Sequence, residues 1–291
     1  MFRKKLYILC VAVVLSMVTQ VLAQNVWTNT TGDGKWGTAA NWSEGIVPTM
    51  TPDSIGDPRI IMAGANACTI DGTQPQAVCQ WLSIGNSFGE NGTLNVVAGG
   101  KIGTPLFGPG ETWIGANGGI GILSIDGAGS IAKSEGWRIG AAASGSAVVN
   151  ITNGGVLQSG TQSWGNYIHA TATVNIINGT MVILGGGPFD INDGGVIKIS
   201  GTSTFTWAGD HRTQINGYIV AGKIASPSSC CPLVVSYVGL MTNVAVAGGC
   251  TCTTYSPGDF NHDCYVDFLD FADFASQWLS CTDPLNAACS Q

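Results

Sequence analysis

The chain has 291 residues, of which only 10% are charged and 42 are glycine, and its formal net charge is −7. So low a charge content excludes an ordinary helical domain with a charged surface. The acidic balance disfavours nucleic acid and anionic membrane surfaces as partners.

The N-terminus has the pattern of a secretory signal peptide. Basic residues at positions 3–5 precede an apolar stretch from residue 6 to residue 17, and a small-residue cleavage site ends at Ala23. The apolar stretch is shorter than the ~20 residues that a membrane-spanning helix needs. We therefore expect removal of residues 1–23, no transmembrane segment in the mature chain, and a secreted or cell-surface protein.

A tryptophan-rich segment follows. Trp27, Trp36 and Trp42 lie in a stretch rich in Thr, Gly and Asn. Bulky apolar side chains at a chain end can close the mouth of a solenoid, whose first coil otherwise exposes apolar side chains and unpaired strand edges. The segment resembles the first motif of bacterial autotransporter-type passenger repeats, and we interpret it as an N-terminal cap.

The bulk of the chain is repetitive, with three short apolar strands per unit separated by glycine turns. The period is roughly 25–30 residues, within the range typical of repeat architectures. Such a unit buries its apolar face only when the next unit stacks on it, so the pattern predicts a β-solenoid over residues 24–225. One strand set carries an aromatic column and a second carries a polar column. The aromatic column is Trp81, Trp113, Trp137 and Tyr167, and the polar column is Asn95, Ser124, Asn150 and Asn175.

The predicted fold class is all-β. Each column should run along one face with members ~4.8 Å apart. The repeats look like the right-handed parallel β-helix of autotransporter passengers and polysaccharide lyases. A propeller is the alternative, but its blades need about 40 residues and four strands.

The orientation of the aromatic column decides its role. If Trp113 and Trp137 face outward, they form a flat strip on which sugar rings can stack. If they face inward, they belong to the core, and packed coils favour that interpretation. His169, next to the column, is interpreted as a substituted member of the stack rather than a ligand.

One cluster of charged residues in the late coils is a candidate catalytic site. Asp190 and Asp193 precede Asp210 and Arg212 by about one coil. Stacking would bring Asp190 or Asp193 near Asp210 as a carboxylate pair, with Arg212 available to neutralise a uronic acid or abstract a proton. The structural alternative is turn chemistry, since Asn192 to Gly195 has the composition of a turn.

Residues 226–255 form a cysteine-rich region with one or two closing strands and a linker. Nine cysteines remain after cleavage, and an exported chain favours disulfides over metal thiolates. Local pairings are predicted, although a zinc site in the middle group and an exchange of partners at the C-terminus stay open. The predicted pairs are Cys68 with Cys79, Cys230 and Cys231 with Cys250 and Cys252, and Cys281 with Cys289, which leaves Cys264 over.

Residues 256–291 carry a twelve-residue calcium loop followed by a helix. Oxygen ligands fall at loop positions 1, 3, 5, 7, 9 and 12, the spacing of an EF-hand, and an apolar stripe with helical period follows. The predicted Ca²⁺ ligands are Asp259, Asn261, Asp263, the backbone carbonyl of Tyr265, Asp267 and Asp270.

This segment resembles a dockerin repeat, the module that docks secreted polysaccharide-degrading enzymes onto cohesin domains. The resemblance implies a cohesin-like or cell-surface partner that contacts Phe268 and Leu269. Two departures are that only one repeat is present and that Cys264 replaces the usual glycine at loop position 6.

Three functions follow from these features. The first is a secreted, calcium-binding, non-catalytic protein that binds a polysaccharide or has a structural role in extracellular polysaccharide breakdown or cell-surface assembly. The second is a polysaccharide lyase or glycoside hydrolase that uses the Asp190 to Arg212 cluster. The third is an adhesin fragment whose calcium loop only stiffens a terminus.

Overall fold

A computed structural model describes most of the chain between residues 24 and 275. Within the described residues the chain forms a parallel β-solenoid of about six turns with one short α-helix. No helix in this part is long and apolar enough to cross a bilayer. The predicted signal peptide lies outside it. The described ranges are 24–50, 57–103, 108–140, 145–162, 164–185, 187–226, 231–248, 257–260, 266, 268, 270–271 and 274–275.

The strands form three sheets, and each full turn gives one strand to each sheet. Sheet 1 contains β1 (Arg59–Ile60), β3 (Leu82–Ile84), β6 (Thr112–Ile114), β9 (Trp137–Ile139), β12 (Asn166–Ile168) and β15 (Phe189–Ile191). Sheet 2 contains β2 (Cys68–Asp71), β4 (Asn91–Val97), β7 (Ile120–Asp126), β10 (Ser146–Thr152), β13 (Ala172–Ile177), β16 (Val196–Ser200) and β18 (Ile224–Ala225). Sheet 3 contains β5 (Lys101–Ile102), β8 (Ile131–Ser134), β11 (Val156–Ser159), β14 (Thr180–Ile183), β17 (Thr204–Ala208), β20 (Met241–Val246) and β19 (Leu233–Val238).

Neighbouring turns pair in parallel, and the register confirms the predicted repeat. The step from one turn to the next shortens along the chain, because Ser83 pairs with Trp113 near the start whereas Tyr167 pairs with Asp190 near the end. The last turns are therefore slightly shorter than the predicted period. Three strands per unit and stacked coils are both as predicted.

Side chains alternate between the interior and solvent along each strand, as a half-buried strand requires. In β7, Leu123 and Ile125 are fully buried, whereas Ser124 between them faces outward. The same alternation in every turn builds one continuous apolar core inside the three sheets. Because each turn covers the apolar edge of the next, the core has no boundary between repeats.

The polar column on sheet 2 is confirmed. Asn95, Ser124, Asn150 and Asn175 occupy matching positions in four successive strands. Asn175 Nδ2 donates a hydrogen bond to Asn150 Oδ1 at 2.9 Å. Stacked amides of this kind satisfy one another along the axis of a parallel sheet.

Isoleucine-glycine pairs end three strands of sheet 1, namely β3, β6 and β9. Gly85 and Gly115 have φ angles of +57° and +61°, a left-handed conformation that side chains disfavour. A Cβ at Gly115 would lie 1.9 Å from the carbonyl oxygen of Ser146, so the backbone of the next turn also excludes a side chain. The Ile-Gly pair thus marks the corner between sheets 1 and 2.

The N-terminal segment covers the first turn, as predicted for a cap. Val26 and Lys35 form parallel bridges to Arg59 of β1 and Thr69 of β2, so they occupy strand edges that would otherwise be unpaired. Two single-turn 3₁₀ helices, Ala39–Asn41 and Gly64–Asn66, shape the surrounding loops.

The three cap tryptophans form one buried cluster. Trp27, Trp36 and Trp42 are at most 2% exposed. Trp42 meets the other two rings edge to face at 5.1 and 4.8 Å between centroids, and its indole N–H donates to the Trp36 carbonyl at 2.8 Å. Edge-to-face pairs add to the free energy gained from burial.

Asp33 makes the cap sensitive to acid. Its carboxylate accepts hydrogen bonds from the backbone N–H of Lys35 at 2.9 Å, the Thr38 hydroxyl at 2.7 Å and Asn41 Nδ2 at 2.6 Å. The hydrogen bond from the Lys35 N–H lowers the pKa most, and the three hydrogen bonds together lower the pKa of Asp33 to about 2. A depressed carboxylate pKa stabilises the fold above the unfolded-state pKa and loses that effect as the pH falls toward the folded-state value.

We therefore expect Asp33→Asn to melt at a lower temperature than the unaltered protein at pH 6. The difference should shrink as the pH falls from about 4 to about 2, because the carboxylate loses its charge over that window. Melting followed by circular dichroism from pH 6 to pH 2 measures it. A difference that stays constant over the whole range would contradict the prediction.

The C-terminal end of the solenoid carries a helix that the sequence did not indicate. Helix α1 (Arg212–Val220) leaves β17, buries Ile215 completely and contacts β18 and β19. The hairpin of β19 and β20 lies where one or two closing strands were expected, and it adds to β17 in antiparallel fashion. Antiparallel pairing ends the regular parallel stacking in sheet 3.

The predicted disulfide between Cys68 and Cys79 is wrong. Both cysteines are free thiols and fully buried. Cys68 belongs to β2 of sheet 2, whereas Cys79 follows the bridge that joins Ala77 to sheet 3, so they lie on different walls of the first turns. Burial raises the pKa of each thiol and keeps it protonated. Cys231 is buried too, and the other predicted pairing partners lie outside the described residues.

Candidate functional site

The outward side of sheet 1 carries the most distinctive surface in the described part of the chain. Its strands are three residues long in β3, β6, β9, β12 and β15, and only the middle residue points outward. We call this surface the aromatic face. Its central column, one residue per turn, is Ser83, Trp113, Arg138, Tyr167 and Asp190.

This register corrects the predicted aromatic column. Trp113 and Tyr167 share a column and face outward, but Trp137 pairs with Thr112 and is buried at 1% exposure. Ser83 and Arg138 take the places expected for Trp81 and Trp137. Aligning the coils on the buried isoleucine that ends each strand, rather than on tryptophan, would have found the register.

A charged pair holds the middle of the aromatic face together. Glu111 Oε1 accepts hydrogen bonds from Arg138, with both contacts at 2.9 Å, and Oε2 accepts the Trp113 indole N–H at 3.0 Å. The guanidinium carbon of Arg138 lies 4.3 Å from the centre of the Tyr167 ring. Four side chains are therefore ordered before any ligand arrives, which lowers the entropic cost of binding.

Two tryptophans border one side of the column. Trp81 and Trp164 meet edge to face with ring centroids 5.2 Å apart, and Trp164 is 40% exposed. Gly165 lies directly beside the Tyr167 ring, since a Cβ there would be 2.1 Å from a ring carbon. The missing side chain lets the phenol ring lie close to the backbone.

A cavity of about 250 Å³ lies at the N-terminal end of the aromatic face. Trp81 and Trp113 line it together with polar groups, and Asn117 Nδ2 donates to Asn86 Oδ1 across its rim at 3.3 Å. Such a mixture of aromatic walls and a few polar groups is typical of small-ligand sites. The remaining lining residues are Gln24, Asp57, Pro58 and Ser83.

Helix α1 lies at the C-terminal end of the aromatic face. The Tyr218 hydroxyl donates to Asp190 Oδ1 at 2.7 Å, and the burial of Tyr218 raises its pKa. His169, one residue beyond β12, stacks on Tyr167 and hydrogen-bonds through Nδ1 to Asn192 Nδ2 at 2.8 Å. Burial, reinforced by Arg138, lowers the pKa of His169, so the imidazole is neutral at pH 7.

The predicted catalytic carboxylates have separate partners. Asp190 points outward from β15 and lies beside Tyr218. Asp193 is in the turn after β15, and its Oδ1 lies 2.9 Å from Lys223 Nζ. Asp210 follows β17 and forms an ion pair with Arg212 at 2.8 Å. The partner cation lowers the pKa of both Asp193 and Asp210. A general acid at neutral pH needs a raised pKa, which these two carboxylates lack.

The predicted calcium loop is described only in part. Asp259 and Asp270, at loop positions 1 and 12, are 4% and 1% exposed, and residues at 268, 270–271 and 274–275 are helical. Phe260 packs on Phe274 with ring centroids 5.1 Å apart. Phe268 is 89% exposed, whereas Asn261, Asp263, Tyr265, Asp267 and Leu269 lie outside the described residues.

Because Asp259 and Asp270 are buried, the two ends of the loop are not an acidic tail open to solvent. Within the described residues no three His, Cys, Asp or Glu side chains come together as a metal site. The fit to Ca²⁺ therefore depends on Asp259 and Asp270.

Comparison with protein-family models, curated proteins and solved structures finds no significant match. The class is consequently defined by the fold itself, a parallel β-solenoid with an ordered aromatic surface along one sheet. The proposed function is therefore based on the side chains of that surface.

Proposed function

We propose that this protein is a secreted, non-catalytic carbohydrate-binding component of extracellular polysaccharide breakdown or cell-surface assembly, and that it binds the glycan along the aromatic face. The single observation that carries the proposal is the outward column in which Trp113, Arg138 and Tyr167 follow one another on successive turns.

Three properties of the face support a sugar ligand. Aromatic rings offer flat apolar surface to the C–H faces of pyranose rings. Glu111, Asn86 and Asn117 supply hydrogen-bond donors and acceptors beside those rings. Successive turns are ~4.8 Å apart, close to the length that one pyranose unit adds to an extended glycan.

Incubation of the purified protein with a panel of plant and algal polysaccharides tests the proposal. We expect retention on at least one polymer without release of new chain ends. Release of new ends would favour the alternative, a lyase or glycosidase that uses Asp190, Asp193, Asp210 and Arg212. If the protein is not retained on any polymer and releases no new chain ends, carbohydrate binding is refuted.

We further propose that the C-terminal module binds Ca²⁺ through Asp259, Asp270 and the loop between them. The spacing of oxygen ligands at loop positions 1, 3, 5, 7, 9 and 12 supports this, and the carboxylates at positions 1 and 12 are buried at the two ends of the loop. In calorimetry with CaCl₂ we expect saturable binding that Asp270→Ala abolishes and that Glu44→Gln, an exposed carboxylate in the cap, leaves unchanged. Equal binding by both variants would place the ion elsewhere.

Export and docking complete the proposal. The signal-peptide pattern before Ala23 supports export. Phe268, exposed on the helical segment, supports docking of a cohesin-like or cell-surface protein through Phe268 and Leu269. We also propose a right-handed solenoid, because crossovers between parallel strands of one sheet are right-handed in about 98% of cases.

A further inference from the structure

We infer that the ligand of the aromatic face is an uncharged glycan segment of about four pyranose rings, a length set by the number of turns between the cavity at one end and helix α1 at the other. This inference rests on the proposed function and adds the chemical class and the length of the ligand. Two observations support it: the cations on and near the face are in ion pairs, and the cavity and helix α1 mark the ends of the face.

The cations of sheet 1 are already neutralised. Arg59 of β1, which pairs with Ser83 one turn before the central column, forms an ion pair with Glu90 and a hydrogen bond to Ser87 at 2.7 Å. Arg138 is engaged by Glu111 on the same sheet. Neither guanidinium is left with a free charge to attract the carboxylates of a polyuronate or the sulfates of a sulfated glycan.

The nearest further cation is also paired. Lys223, beyond the end of β15, binds Asp193 and the carbonyl oxygen of Ile191. Every Lys and Arg after position 23 lies within the described residues, so the pairing can be followed for all such cations near the face.

One end of the face carries an outward carboxylate with a neutral partner. Asp190 stands outward at the C-terminal end, where it accepts a hydrogen bond from the neutral Tyr218. His169, on the preceding turn, is neutral as well. An anionic glycan lying along the column would meet like charge at Asp190, whereas a neutral glycan would not.

The face has a defined length. Ser83 and Asp190 mark the first and last of five turns, so four intervals of ~4.8 Å, or about 19 Å, separate them. Gln24 and Pro58 line the cavity at one end, and Tyr218 of α1 stands at the other. About four sugar rings fit in an extended conformation between these ends.

Calorimetric titration of the full chain with defined oligosaccharides tests the inference. The probes are cello-, xylo- and manno-oligosaccharides of two to six units and oligogalacturonates of the same lengths, at low and at physiological salt. For the neutral series that binds, affinity should rise with each unit to about four and change less than about twofold beyond that. Oligogalacturonates should bind at least about tenfold more weakly, and the gap should narrow as salt increases.

Two variants check the electrostatic cause. Asp190→Asn removes a negative charge and should raise the affinity for oligogalacturonates. Glu111→Gln leaves the Arg138 guanidinium without its carboxylate and should raise that affinity further. If neither variant changes the discrimination, the charge argument is wrong.

The outcomes separate the inference from the proposed function. Oligogalacturonates that bind as well as neutral sugars would overturn the charge class while carbohydrate binding stands. Affinity that keeps climbing from four to six units would overturn the length. Absence of binding to every probe, together with no retention on any polymer, would overturn both.

Discussion

Replacing Trp137 with alanine is expected to lower the free energy of unfolding by about 3–5 kcal/mol, the cost of removing a large buried aromatic side chain. Trp137 is 1% exposed inside the solenoid, and its indole N–H donates to the carbonyl oxygen of Gln158 at 3.2 Å. Alanine would leave a cavity inside the solenoid and remove this hydrogen bond. Urea unfolding followed by circular dichroism measures the loss.

Trp113→Ala is the matched control for that measurement. The two tryptophans lie on adjacent turns and differ by one position in register, so one faces inward and the other outward. We expect Trp113→Ala to cost about 1 kcal/mol or less, since surface substitutions seldom cost more. A reversed order of the two effects would show that the register of sheet 1 is shifted by one residue.

Trp113→Ala should instead weaken glycan binding by about 30-fold, which corresponds to about 2 kcal/mol for a central aromatic contact. Trp113 occupies the centre of the face between the N-terminal cavity and Arg138, and Glu111 fixes its indole. Loss of its ring removes stacking area and leaves the Glu111 carboxylate with one donor fewer. Calorimetry against the polymer retained in the panel measures the change.

Two further variants sharpen this test. Trp113→Phe keeps a ring and should recover part of the affinity. Tyr237→Ala removes a partly exposed aromatic side chain from β19 in sheet 3 and should leave binding unchanged. Equal losses for Trp113→Ala and Tyr237→Ala would argue against the aromatic face as the site.

The solenoid itself was predictable because its physical requirements recur in every turn. Alternation such as Leu123, Ser124 and Ile125 can bury only one side of a strand, and glycine at many of the corners permits the tight bends. The Asn150 and Asn175 column followed from the same alternation. Repetition made each of these signals visible several times.

The register of sheet 1 was not predictable from tryptophan positions, because tryptophan suits both a buried position and an exposed sugar platform. The pair of Glu111 and Arg138 was missed for a related reason: the two residues are one coil apart in sequence and meet only after the coils stack. Helix α1 carries no apolar stripe, and Ile215 is its buried residue, so periodicity had nothing to detect.

The candidate catalytic cluster stays a prediction, and the fold adds the partner of each carboxylate. The sequence places Asp193 and Asp210 about one coil apart. In the fold each pairs with its own cation, Lys223 or Arg212, within local turn structure. Local electrostatics, which the spacing does not encode, decides what a carboxylate in a turn can do.

The placement of the central column on the middle residues of three-residue strands has a consequence for how such a protein can diversify. Each sheet 1 strand supplies its core contacts through the two flanking residues and its surface contact through one, so the surface residue can change with little effect on stability. Inserting or deleting a coil would lengthen or shorten the platform by one rung of ~4.8 Å and leave the other rungs in register. The number of coils would then set the length of ligand that the face can bind, and duplication of a coil would change that length by one unit.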